Sequence, residues 1–156
     1  MVTESTIEEV LESFVNDREE YEESLLELMD QQPPLLAFLA QESNDVLTEE
    51  EKDVLWYVIL IIITSARRFG ISVGELSDTD LGSNEESNWE ILQEQTKGSF
   101  RDRITSFYED YEQEDLLAFV EDTLELEDDS PVTSVGRDVI FISAKTVIDS
   151  IFNFQN

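Results

Sequence analysis

The chain of 156 residues has no cysteine and no histidine. Those absences remove the usual zinc sites, thiol nucleophiles, Ser-His-Asp triads and histidine general bases. They also leave the fold without disulfides, to be held by its apolar core alone. Basic residues are scarce: 9 Lys+Arg stand against 38 Asp+Glu, a formal charge of −29. No surface of such a chain offers the cationic face that neutralises a run of phosphates, so direct nucleic-acid binding is excluded. None of the five glycines stands in a G-x-G-x-x-G or G-x-x-x-x-G-K arrangement, which excludes the common phosphate-cradling loops. Long apolar runs are missing too. The longest, Val54–Ile63, is well short of the roughly 20 residues a membrane-spanning helix needs, so a buried core helix is expected there and no membrane partner. The start, Met1-Val2-Thr3-Glu4-Ser5, lacks the basic-then-apolar pattern of a secretory signal and reads as cytoplasmic.

What is present is enough to fold. Leu, Ile, Val and Phe make up about a third of the residues, well above the level at which a charged chain fails to collapse. Their spacing is helical throughout. Ile7, Val10, Leu11, Phe14, Tyr21, Leu25, Leu28 and Met29 recur every three or four residues, which predicts a long helix over 6–31, with an interruption near Asn16-Asp17 as its weak point. Pro33-Pro34 ends it and opens a short helix to about Ala40. Thr48-Glu49-Glu50-Glu51 is a capping box for a helix that runs to about Phe69, with Arg67 and Arg68 in its last turn and Gly70 as a left-handed stop.

Residues 71–83, with Gly74, Gly82 and Asp78-Thr79-Asp80, read as the central connection. A second capping box, Ser83 to Glu86, then opens one long helix to about Tyr111, running through Gly98. A helix over 115–126 and a last one over 133–152 complete the chain. The expected fold is all-α, a single compact bundle of about six helices.

The halves 1–75 and 83–156 resemble each other. Leu35-Leu36-Ala37-Phe38 recurs as Leu116-Leu117-Ala118-Phe119, Phe14 and Tyr21 correspond to Phe100 and Phe107, and Asp53-Val54-Leu55-Trp56 corresponds to Asp138-Val139-Ile140-Phe141. One reading is an internal duplication of a three-helix unit about a pseudo-twofold axis. The other is that common residues at helical spacing imitate one another. Trp56 and Tyr57, on a helix apolar all round, face either the second half or a second copy of the chain, which leaves a homodimer open.

Carboxylates are the only plentiful chemistry. Asp78-Thr79-Asp80 fails as a calcium loop, because Gly82 comes one position early and Trp89 falls where the bidentate glutamate belongs. Glu20-x-x-Glu23 followed by Glu50-x-x-Asp53 resembles the paired acids of the all-α nucleotide pyrophosphohydrolases. That resemblance implies magnesium held between facing helices by Glu20, Glu23, Glu50 and Asp53. Glu9, Glu12, Glu27 and Asp30 fit the same spacing, and no phosphate-binding lysine or arginine accompanies either set.

The main expectation is therefore non-enzymatic and without a cofactor: an acidic helical module that binds a basic protein partner, with Glu19, Glu20, Glu22, Glu23, Glu49, Glu50 and Glu51 as its contact rows. A narrower form has the same rows imitate DNA phosphates and inhibit a DNA-binding protein. Solvation in high salt is the environmental alternative. Lys97, Arg101 and Arg103 crowd one stretch and call for acids across them, either from a loop such as Glu127–Asp129 or from an acidic partner.

Overall fold

The computed structural model describes residues 1–41, 44–125 and 130–152. Among these there is no strand, and eight α-helices follow one another: α1 (Glu4–Asn16), α2 (Arg18–Gln31), α3 (Pro33–Leu39), α4 (Glu49–Arg68), α5 (Asp78–Glu94), α6 (Phe100–Ile104), α7 (Glu114–Thr123) and α8 (Ser134–Phe152). The all-α class follows the sequence pattern. Two breaks raise the count above the expected six.

The first break is at Asp17, the weak point of the long N-terminal pattern. Its backbone is extended (φ −142°, ψ 91°), and its side chain accepts the Glu20 N–H, so one residue closes α1 and caps α2. Aspartate suits that double position because it satisfies the free N–H groups of a helix start. The second break falls at 95–99. Gly98 adopts φ +94°, and Ser99 forms a capping box with Asp102 that starts the short α6, continued by a 3-10 turn, Thr105–Tyr108. The long helix expected through Gly98 is thus two helices meeting at a corner. Leu92, Phe100, Ile104 and Phe107 are all buried across it, so the apolar spacing survives although the helix does not.

The start of α5 is a further correction. Ser77 accepts the Asp80 N–H and opens the helix there, which puts Asp78-Thr79-Asp80 in its first turn and Ser83–Glu86 in its interior. What reads as a cluster of breakers is an N-cap with aspartates facing the positive end of the helix dipole.

Other boundaries match their signals. Thr48 and Glu51 make the capping box of α4 in both directions. At its far end Ile71 N–H bonds Ala66 and Gly70 N–H bonds Arg67, with Gly70 at φ +106°, the Schellman pattern that needs glycine at the left-handed position.

α4 and α8 lie against each other at the centre of the molecule. α1, α2 and α7 pack on α4, α5 and α7 pack on α8, and α3 packs on α5. Val58–Ile63 of α4 and Val139–Ile148 of α8 are buried without interruption, which is why neither shows a polar stripe. Trp56 and Tyr57 are half-buried and pack against the core of their own chain. Among the described residues no helix is long and apolar enough to cross a membrane.

Candidate functional site

The acidic rows divide when placed on this frame. Glu19, Glu20, Glu22 and Glu23 are all exposed on α2, a helix that buries only Leu28. Of the four, Glu22 alone has a cation, Arg18 at 3.3 Å, and both side chains are so exposed that the pair contributes little stability. Glu49 and Glu50 are exposed at the start of α4, Glu49 lying 3.6 Å from Lys52.

Glu51 belongs elsewhere. It is 1% exposed, and its carboxylate accepts the Thr48 N–H at 2.9 Å on one oxygen and both the Thr133 N–H (2.9 Å) and hydroxyl (3.0 Å) on the other. Thr133 in turn caps α8 through the Gly136 N–H. One buried side chain therefore ties together the N-termini of the two central helices. It is structural and unavailable to a partner, a correction to its place in the acidic row. Burial pushes its pKa up, but the hydrogen bonds from Thr48 and Thr133 outweigh burial and hold it below the ordinary value of 4.5. A carboxylate whose folded pKa is depressed contributes stability that is present above its unfolded value and is lost as pH falls through the folded one. We expect Glu51→Gln to be clearly less stable than the native chain at pH 7 and the gap to shrink below about pH 4.5. Urea titrations at both pH values check this, and a gap independent of pH would refute it.

The paired acids resembling a magnesium site are not gathered. Among the described residues no group of three or more acids is placed to hold a metal ion, and Glu20, Glu23, Glu50 and Asp53 are all exposed. Spacing at i, i+3 puts two carboxylates on one helix face, but only helix rotation makes two such faces meet. Here Tyr21 of α2 turns toward α4, its ring 6.1 Å from that of Tyr57. Burial, followed by the neighbouring Tyr57 and Asp53, raises the pKa of Tyr21.

Of the clustered cations, Arg101 and Arg103 are answered internally, whereas Lys97 stands exposed. Arg101 pairs with Glu121 of α7 at 2.8 Å, and Arg103 grips one oxygen of Asp138 of α8 through both terminal nitrogens at 2.7 and 3.0 Å. The clamp comes from helices; the segment Glu127–Asp129 lies outside the described residues. A third cation, Lys145, is buried between α5 and α8. It donates to Asp149 (2.9 Å) and Asn88 (3.0 Å), with the Tyr111 hydroxyl on the other Asp149 oxygen at 2.7 Å.

Between α1 and α7 runs a groove of about 470 Å³. Leu11, Tyr57 and Phe119 form its floor, each half-buried. Glu4 and Glu8 stand on one rim, Asp115 and Asp122 on the other. Its residues come from three helices, so no local motif announces it; the only sequence signal is that Leu11 and Phe119 sit at the margins of their apolar stripes.

No family model matches the chain, and comparison with curated proteins and with solved structures gives no match.

Proposed function

We propose that this chain is a non-enzymatic helical module that binds a basic partner protein. The observation that carries this reading is α2: a 14-residue helix with a single buried residue and a row of four exposed glutamates, three of them without a cation. α2 holds to the core through Leu28, Tyr21 and Leu25, and the field of its glutamate row steers a cationic surface toward it while repelling acidic competitors. The cytoplasmic setting expected from the sequence goes with this reading. The test is a pull-down from the native cell extract with the wild-type chain and with the quadruple variant Glu19→Gln, Glu20→Gln, Glu22→Gln, Glu23→Gln. The expected result is one discrete basic protein on the wild type, lost from the variant and released as salt rises from about 0.1 M towards 1 M, where the screening length falls from about 10 Å to 3 Å. Equal capture by the variant, or capture indifferent to salt, rejects the reading. Circular dichroism at low salt separates it from salt adaptation, which requires a poorly folded chain there.

The same proposal includes a duplicated architecture. Supporting it, the packing of α1 on α4 is repeated by α5 on α8, and that of α3 on α5 by α7 on α1, around the central α4 and α8 pair. Thr48 and Thr133 cap these two helices, and each is followed five residues later by an aspartate, Asp53 and Asp138. Each central helix also carries an aromatic contact to the residues paired in the sequence, Tyr57 to Tyr21 on α4 and Phe141 to Phe107 on α8, one position apart in that register. On this reading the unit has four helical segments, not three, and the second copy begins at Ser77.

A further inference from the structure

We propose that the groove between α1 and α7 seats a basic amphipathic segment of the partner protein, with an arginine or lysine of that segment lying over the Tyr57 and Phe119 rings and apolar residues covering Leu11. This rests on the reading of the chain as a binder of a basic protein and adds the place and the chemistry. The floor is apolar and aromatic, the kind of surface that gains from being covered. Its volume falls within the roughly 300–1,000 Å³ typical of ligand sites.

The rim decides what covers it. All four of its charged groups are carboxylates, none of them in an ion pair, and no lysine or arginine of this chain lines the groove. Arg101 and Arg137 share a neighbouring pocket with Asp122, but neither lines the groove, and among the described residues Glu4, Glu8 and Asp115 share no pocket with a cation. An aromatic face flanked by carboxylates attracts a cation twice, through the ring quadrupole and through charge. Guanidinium suits it best, since it stacks on rings and bonds carboxylates in a fork.

The rim is also held in place before any partner arrives. The Glu4 N–H bonds Asp115 at 3.1 Å, and the Val2 N–H bonds the Gln113 side chain at 3.0 Å, which fixes the start of α1 to the start of α7. Through the Tyr21 and Tyr57 ring contact the floor of the groove adjoins α2.

The test uses a fluorescein-labelled helical peptide of about four turns with arginine and leucine alternating along one face, and an oligolysine of equal charge as control. The intact chain should bind the arginine–leucine peptide at least about tenfold more tightly than oligolysine. Glu8→Lys/Asp122→Lys, both at exposed positions, should weaken it about tenfold or more, whereas Glu22→Lys/Glu23→Lys on α2 should change it less than about threefold. Phe119→Ala, checked for its melting curve, should weaken the arginine–leucine peptide and leave oligolysine unchanged. If the α2 variant loses binding and the groove variant does not, the groove is overturned while the basic-partner reading stands. Equal affinity for both peptides also overturns the groove, since charge alone then accounts for binding. If neither peptide binds at low salt, both readings fall.

Discussion

Gly136→Ala destabilises this protein by about 2–4 kcal/mol in the native background and is neutral or stabilising once Glu51 is Ala. A Cβ built on Gly136 collides with the Glu51 carboxylate. That carboxylate is the far end of a flexible side chain, which elsewhere swings aside at little cost. Here it is held on Thr48 and Thr133. Displacing it strands a buried charge and frees the N–H groups that begin α4 and α8. Without the carboxylate the obstacle is gone, and alanine is favoured over glycine in a helix by about 1 kcal/mol. Urea denaturation of the native chain, both single variants and the double variant gives the four corners of the cycle. If Gly136→Ala costs the same in both backgrounds, Glu51 is not what requires the glycine.

The second large effect is at Lys145, 6% exposed. Lys145→Met keeps the length and apolar stem of the side chain but leaves the largely buried Asp149, its side chain 15% exposed, with only the Tyr111 hydroxyl and the Asn88 amide, at 2.7 and 3.1 Å, and leaves the Asn88 oxygen without its donor. The ammonium also lies over the Phe107 and Tyr111 rings, 5.1 and 4.6 Å from their centres, a contact methionine replaces only in part. Removing one partner of a buried ion pair costs about 3–5 kcal/mol, so a comparable loss is expected. Lys145→Met/Asp149→Leu should recover part of it, since no buried charge then remains unpaired. A single variant within about 0.5 kcal/mol of the native chain shows that Asp149 finds solvent when the lysine is gone.

Both effects hang on side chains whose roles no sequence pattern distinguishes. Glu51 is one of three consecutive glutamates. Its part in the Thr48 capping box is legible, because that exchange closes within one turn, but its second oxygen reaches Thr133 across 82 residues. Lys145 sits on the apolar stripe of the last helix and reads as a long side chain at its margin. Asp149, four residues on along α8, is a local partner, but Asn88 and the Tyr111 hydroxyl that complete the cluster arrive only when the chain folds. The same holds for the acidic rows: four glutamates on α2 and three on α4 look alike in sequence, yet only those on α2 are all exposed.

Local physics, then, was enough for the class and for most helix ends. Periodicity of three and four, a threonine box, paired prolines and Gly70 act over a few residues and need no partner from elsewhere in the chain. The absence of cysteine and histidine and the surplus of carboxylates likewise limited the chemistry without any coordinates. Tertiary structure decided which breaks occur, because Gly98 and Ser99 turn the chain only where a corner lets Leu92, Phe100 and Ile104 share one core. It also decided which carboxylates are surface and which are buried fastenings, and it assembled the groove between α1 and α7 from residues more than a hundred positions apart. Charge is a property of composition, but its location on a face or at a helix junction depends on how helices rotate against one another. That rotation is set by the packing of α4 on α8, which no short window of the sequence contains.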